Sequence, residues 1–442
     1  MNFYIKSYGC QMNFYDSQKI EDMLLQDGHQ KAEIPEEANL LIFNTCSIRE
    51  KADDKLFSDL GRAKLLKNQH KDDNFIIVVA GCVAQSRPQD VIERHPYVDL
   101  ICGPQEIQNI SKKIKESLNH TEISPRVLAN FNTAEKFEIF KNQKLVRKNV
   151  SEYLTIQEGC NNFCTYCVVP YTRGREFSRN VEEIVGEAKQ LVDCEVKEIT
   201  LLGQNVNSYK GTYADGHTCR LAELFWKLSE IPGLKRLRYS SSHPKDIDEE
   251  IAKTHRDISI LMPSLHLPVQ SGSNSVLKKM NRNYTKEKYL EVIAMLREYR
   301  PDMAFSSDFI VGFPGETDKD FEDTLDLVKQ VRFSMSYSFK YNPRPHTLAA
   351  KMEDQIDEKI KSERLQILQN LLNQQQTEFN EKALGATLQV LFEKPGRHKH
   401  QLVGRSEYFQ SVSVKSENIK IGDCANVLIT DIATHSLIGE VV

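Results

Sequence analysis

The chain has 442 residues, 40% hydrophobic and 27% charged, with a formal net charge of −4. At one domain per ~150 residues it is long enough for about three domains, and its charge argues against bulk affinity for a polyanion. It contains no uncharged apolar run of about 18 residues, and its start, MNFYIKSYGC, lacks a basic region followed by a long apolar stretch, so neither a membrane span nor a signal peptide is expected.

A cytoplasmic protein is therefore expected, and in that compartment ten cysteines imply thiols rather than disulfides. Short apolar runs at 3–9, 39–45, 75–81 and 98–103 predict strands, with polar helical stretches at 16–28 and 51–69 between them. Alternation of this kind predicts a parallel sheet. Cys10, Cys46 and Cys82 each follow a strand directly, at equal intervals (46 − 10 and 82 − 46, both 36), about one strand-helix unit apart. The three thiols are expected to meet outside the carboxyl ends of the strands, where open sheets place their ligands.

Residues 116–150 are polar, with a basic run at Lys141, Lys144, Arg147 and Lys148, and read as a linker with one or two strands. From Tyr153 the alternation resumes through YLTIQEG, EITLLGQN, RLRYSSSHP, SLHLPVQSG, AFSSDFIVGFPGE and SMSYSFKYNP. Six such units are too few for a closed eight-stranded barrel and suit a partial one, with chemistry at the C-terminal strand ends. Ile356, Ile360, Leu365, Leu368, Leu371 and Leu372 recur at helical spacing, and short strands after Gly385 predict a small β-barrel. Lys394, Arg397, Lys399 and Arg405 beside Tyr408 and Phe409 suit RNA phosphates and bases. The expected fold class is α/β: an N-terminal parallel domain (1–117), a linker (118–150), a partial six-unit barrel (151–376) and a small β-barrel (377–442).

The chemistry is carried by cysteine. Cys160, Cys164 and Cys167 follow a strand at a spacing that lets one short loop wrap three corners of a cubane. A 4Fe-4S cluster normally takes four cysteines; with three, one iron stays open, and the amino and carboxylate groups of S-adenosylmethionine can fill it. Zinc would need a fourth ligand, and from Gln157 to Tyr171 only Glu158 offers an oxygen. Cys102, Cys194, Cys219 and Cys424 lack partners at ligand spacing and read as small buried hydrophobes. His243 and His266, near strand ends, read as groups that satisfy the backbone rather than as general bases.

SYGCQMN (7–13), FNTCSIREKA (43–52), AGCVAQ (80–85), EGCNNFCTYCVVPYTRGRE (158–176), HLPVQSGS (266–273) and SDFIVGFPGETD (307–318) resemble the methylthiotransferase family of radical S-adenosylmethionine enzymes, throughout the chain. Gln11-Met12 and Val168 to Glu176 are most similar to the branch acting on isopentenylated adenosine of tRNA. Asn342 and His346 depart from the family, which more often has Ser and Gly there. The resemblance implies a TRAM domain at the C-terminus and two 4Fe-4S clusters, one on Cys160, Cys164 and Cys167 and an auxiliary one on Cys10, Cys46 and Cys82. It implies cosubstrate contacts from Gly203, Gln204, Asn205, Ser241, Gln270, Ser271, Gly312 and Glu316, with Gly312 letting the backbone approach an adenine.

The reaction implied is conversion of N(6)-isopentenyladenosine at position 37 of tRNA to its 2-methylthio derivative. An electron at the first cluster releases a 5′-deoxyadenosyl radical, and the second cluster donates sulfur. Arg173 and Arg175 would bind RNA phosphate or the cosubstrate carboxylate, or pair with an acid. The implied partners are the anticodon loop of tRNA, a small flavodoxin- or ferredoxin-type electron donor and iron–sulfur assembly or carrier proteins, with no membrane and nothing demanding more than a monomer. The alternatives are methylthiolation of threonylcarbamoyl-adenosine or of a ribosomal protein, and a non-catalytic iron–sulfur scaffold that binds RNA.

Overall fold

The computed structural model describes residues 1–47, 50–70, 74–118, 126–131, 133–141 and 149–442. Ile48 and Arg49 of the second cysteine motif, and Lys144, Arg147 and Lys148 of the basic run, lie outside the described residues. The chain divides into two units, one of residues 1–147, 157–161 and 167–179, the other of 148–156, 162–166 and 180–442.

The first unit is built on β1 (Asn2–Tyr8), β2 (Gln30–Lys31), β3 (Leu40–Thr45), β4 (Ile76–Gly81), β5 (Leu100–Cys102) and β6 (Arg126–Leu128), in the order β2-β1-β3-β4-β5-β6. Every pairing is parallel. LLIFNT of β3 and IIVVAG of β4 are buried at every position, as central strands covered on both faces must be. Helices α1 (Gln11–Gln26), α2 (Glu50–Gln69) and α3 (Cys82–Ser86) follow β1, β3 and β4. One core packs Leu41, Phe43, Ile77 and Val79 of the sheet against Leu56 and Leu60 of α2. Within the polar stretch read as a linker, Arg126–Leu128 is the sixth strand and Thr133–Lys141 is a helix. That helix buries Phe137 and Phe140, and its Lys136 is fully buried as well because acidic partners receive its charge.

The second unit carries six parallel strands as two sheets of three. Arg236–Tyr239, Glu198–Leu202 and Ser151–Thr155 form one; Ser264–His266, Ala304–Val311 and Met335–Lys340 form the other. Leu237 joins the halves, donating to Ile260 O at 2.7 Å and accepting from Met262 N at 3.0 Å. The partial six-stranded barrel is thus borne out. The long helix runs Glu358–Glu381, capped by Asp357, whose side chain accepts from Lys359 N at 2.8 Å; it buries Leu368 and Leu372 but leaves Ile360 exposed.

At the C-terminus Thr387–Pro395, Gln401–Ser406, Ser411–Lys415, Cys424–Ala433 and Ser436–Val441 close a five-stranded barrel around Val390, Phe392, Val412, Val427 and Leu437. Each such side chain contributes roughly 1.5–3 kcal/mol, a modest core for a barrel of this size. The barrel is held by more than its core. Arg236 donates to Arg405 O (2.8 Å) and Gln389 O (2.6 Å), and Arg238 to Ser406 O (2.9 Å) and Glu407 O (3.1 Å). Glu198 pairs with Arg238 at 2.9 Å, so neither buried arginine lacks a counter-group.

Candidate active site

Parallel register assembles the first cysteine trio. Tyr8, Thr45 and Gly81 stand side by side at the ends of three adjacent strands, β1, β3 and β4, which lie ~4.8 Å apart. Cys46 and Cys82 come next in the chain, and Cys10 follows one residue later as the N-cap of α1. Gly9 and Gly81 make the convergence possible. Both have positive φ (+111° and +91°), and a Cβ on Gly9 would lie 2.1 Å from Cys46 Cβ, one on Gly81 2.3 Å from Asn44 Oδ1. Asn13 and Asn44 then tie α1 to β3: Asn13 Nδ2 donates to Asn44 Oδ1 at 3.1 Å, and Asn44 Nδ2 to Asn13 O and Ser17 Oγ, both at 2.9 Å.

The thiols face one another electrically. Hydrogen bonding to Cys46 lowers the Cys10 thiol, burial opposes this, and the Arg173 guanidinium adds to the lowering. Burial pushes Cys82 up, with Arg173 acting against it by charge and by hydrogen bond. Two of the three sulfurs therefore share one cation, and that cation is held in turn. Arg173 pairs with Asp16 (2.7 Å) and Glu158 (2.5 Å), and Lys136 reaches the same two carboxylates, each at 2.9 Å. All four groups are buried. Burial alone would push Asp16 up, but Lys136 and Arg173 outweigh it and hold its carboxyl below the usual range. This settles Arg173 as a buried ion-paired group rather than a phosphate or cosubstrate contact, because both acids are inside with it. Glu158 is likewise taken by cations, whereas Arg175 stays exposed.

The donor set suits a cluster better than a single ion. Among the described residues no group of three or more His, Cys, Asp or Glu is arranged for one metal ion, as bonds of about 2.3 Å to zinc would require. Thiolate is, however, the ligand type that iron–sulfur clusters take.

The loop of the second trio is shaped in part by the turn after Asn274–Lys279. Asn281 Nδ2 donates to the carbonyls of Asn162 and Phe163, each at 3.1 Å, Thr165 N donates to Met280 O at 3.1 Å, and Thr165 Oγ1 to Lys279 O at 2.9 Å. Cys164 is buried and accepts from Arg282 Nη1 at 3.7 Å; Cys160 and Cys167 are partly exposed. The sequence reading missed Arg282. The signal available was its place between Asn281 and Asn283, both at positive φ (+58° and +48°), a conformation asparagine tolerates better than most residues.

At the strand ends, Ser241 (φ +70°), Gln270 (φ +72°) and Gly312 (φ +68°) are all left-handed, and such outliers concentrate where ligands are clamped. Gly203 ends the strand Glu198–Leu202 and is buried, as are Gln204's neighbours; Asn205 Nδ2 donates to Asp246 at 2.7 Å. Ser271 is spoken for within the fold, its Oγ lying 3.3 Å from Thr324 Oγ1 and accepting from Ser273 N at 3.2 Å. Glu316 accepts from Gly312 N at 2.9 Å and pairs with Arg364 at 2.8 Å, so its carboxylate fixes the glycine turn. The space beside Gly312 that an adenine was expected to use is filled by Lys361, whose Cγ would lie 2.3 Å from an added Cβ. His243 is neutral: burial, Arg282 and Lys245 push it down to about 2, and its Nδ1 accepts from Lys245 N at 3.4 Å. His266 Nδ1 lies 2.9 Å from Ser306 Oγ.

Three family models match the chain: the uncharacterized protein family UPF0004 over residues 2–103, the radical SAM superfamily over 154–328 and the TRAM domain over 381–442. The tRNA-2-methylthio-N(6)-dimethylallyladenosine synthase of Agrobacterium fabrum is 49% identical over 99% of this chain and 97% of its own length. That of Bartonella bacilliformis is 49% identical over 99% and 95%. The chain belongs to this synthase family. As a family member it has the radical SAM domain's cofactors, S-adenosylmethionine and iron–sulfur clusters. Two solved structures share the fold at low identity. The radical S-adenosylmethionine methyltransferase TsrM of Kitasatospora setae has a TM-score of 0.55 at 13% identity, covering 79% of this chain and 77% of its own. The cobalamin-dependent S-adenosylmethionine radical enzyme OxsB has a TM-score of 0.52 at 12%, covering 86% and 56%.

In this chain the aromatic residues of the TRAM barrel also engage the partial barrel. Tyr408 OH donates to Asp302 at 3.0 Å, and Phe409 lies under Arg405 (4.6 Å) and Arg238 (5.0 Å), so both rings take part in the junction with the partial barrel. Lys394, Arg397 and Lys399 remain exposed. Cys102 and Cys219 are buried as expected, but Cys194 is only partly buried and Cys424 is exposed. No helix among the described residues is long and apolar enough to cross a membrane.

Proposed function

We propose that this chain converts N(6)-isopentenyladenosine at position 37 of tRNA to its 2-methylthio derivative, as a radical S-adenosylmethionine methylthiotransferase. The observation that carries the reading is the register-matched meeting of Cys10, Cys46 and Cys82 in a chain that also holds the Cys160, Cys164 and Cys167 loop. When bound, the clusters and S-adenosylmethionine supply a radical able to attack an unactivated carbon, together with the sulfur and methyl group that carbon receives.

The chain's own residues hold and shield. Cys160, Cys164 and Cys167 would ligate the radical cluster, with Asn281 fixing the backbone of their loop. Cys10, Cys46 and Cys82 would ligate the auxiliary one. Gly203, Gln204, Asn205, Ser241 and Gln270 would line the cosubstrate, with Ser271 and Glu316 bracing the strand ends, the latter at the Gly312 turn, through their bonds within the fold. Neutral His243 is unsuited to take a proton at physiological pH. Exposed Arg175, Lys394, Arg397 and Lys399 would meet RNA phosphates, and unstacked bases of the anticodon loop suit edge recognition. The domain limits proposed are 1–117, 151–376 and 377–442. A cytoplasmic monomer served by a flavodoxin- or ferredoxin-type donor and by iron–sulfur carrier proteins completes the reading.

Nucleoside mass spectrometry of tRNA from a deletion strain tests it: isopentenyladenosine should accumulate without its methylthio group. Full methylthiolation of that nucleoside in the deletion strain would overturn it.

A further inference from the structure

Among the described residues, no carboxylate pairs with the buried cation Arg282. Its Nε lies 3.0 Å from Tyr284 OH, its Nη2 donates to Pro268 O at 2.8 Å, and its Nη1 to Cys164 Sγ at 3.7 Å. Its guanidinium also sits 5.2 Å from the Tyr284 ring centroid. Among the described residues it forms no ion pair, and it is 6% exposed. Arg173, by contrast, belongs to a closed set of two cations and two carboxylates whose formal charges cancel. An arginine stays protonated under all ordinary conditions, so the charge of Arg282 is permanent. A buried charge without a counter-ion is strongly unfavourable, and the group best placed to supply one here is the Cys164 thiolate together with whatever anion that thiolate ligates.

The backbone presents the side chain for this purpose. Asn281 and Asn283 are both left-handed, and Tyr284 OH donates to Val269 O at 2.8 Å, which anchors the ring against which the guanidinium rests. We propose that Arg282 is a positioning residue whose fixed charge raises the reduction potential of the cluster held by Cys160, Cys164 and Cys167. The inference rests on the function proposed above and assigns within it the group that makes the radical-forming electron easier to accept. Adding an electron makes a thiolate-bound cluster more negative. A cation held at hydrogen-bond distance from a ligand sulfur, in surroundings of low dielectric, favours that reduced state.

The test is a redox titration of the reconstituted full chain, following the electron paramagnetic resonance signal that changes when S-adenosylmethionine is added. The signal that does not respond to S-adenosylmethionine, from the auxiliary cluster, is the internal control. R282Q should make reduction of the responsive cluster at least tenfold less favourable, a fall of about 59 mV, while R282K stays within twofold of the wild type. An R282Q protein that retains its cluster at an unchanged potential overturns the inference, and so does an R282K protein that falls tenfold. If R282Q fails to hold its iron, R282M, which keeps the stem of the side chain and removes the charge, is read on the same criterion. A wild-type protein with no S-adenosylmethionine-responsive cluster would instead overturn the proposed function itself.

Discussion

The cysteines of the amino-terminal sheet come together through long-range register, whereas those of the second trio lie within eight residues of one another in the chain. Three adjacent parallel strands must pair correctly before Cys10, Cys46 and Cys82 can meet, and two left-handed glycines must let the strand ends approach. The loop from Cys160 to Cys167 needs only a template, which the turn at Met280 and Asn281 provides through the bonds it makes to residues 162–165. Charge separates the sites further, since Arg173 is neutralised by Asp16 and Glu158, and Arg282 by no acid among the described residues. A site gathered by register depends on the whole unit being folded. A site written into one loop depends on that loop and its template.

The largest effects should come from the cysteines themselves. Cys164→Ala should abolish formation of 5′-deoxyadenosine, while Cys82→Ala should leave that reaction intact and abolish the methylthio product; chromatography of both products checks this. Loss of both reactions in Cys82→Ala would erase the division of labour. Asp16→Asn should destabilise the first unit by about 3–5 kcal/mol, because it leaves Arg173 and Lys136 buried with one acid between them. Thermal melting that shows no change would mean that the network has another source of compensation.

Gly81→Ala should remove about half of the bound iron, since only the register-dependent site needs that close approach. Iron analysis distinguishes this from a loss at both sites. Replacing Lys394, Arg397 and Lys399 together by alanine should weaken tRNA binding and flatten its salt dependence, each lost phosphate contact lowering the log–log slope by roughly 0.7–0.9. The smallest effect concerns pH. The carboxyl of Asp16 is lowered in the folded state, so its contribution to stability is complete above the unfolded value of about 3.9 and is lost as pH falls through the lower folded value. Acidifying from pH 7 to 5 should therefore leave this contribution unchanged in a melting series.

Local spacing made the second trio legible, and equal intervals made the first so, because each interval is one strand-helix unit of a parallel sheet. The arginines were less legible. Arg282 lies 118 positions from the sulfur to which it donates, and Arg173 lies 157 from Asp16, so no window of sequence contains both partners. Ser271 and Glu316 show a different limit. A polar residue at a strand end looks the same in sequence whether it faces a ligand or, as their hydroxyl and carboxylate do, hydrogen-bonds within the fold. In the small barrel, Gly439 interrupts the apolar pattern of Ser436–Val441 and makes that strand the harder one to read from sequence.

Arg236 and Arg238 donate to four main-chain carbonyls of the TRAM barrel, at Gln389, Arg405, Ser406 and Glu407. Every amino acid offers the same carbonyl. This part of the seam therefore places little demand on which side chains the barrel carries, so the exposed residues of the barrel can change while these four bonds stay in place.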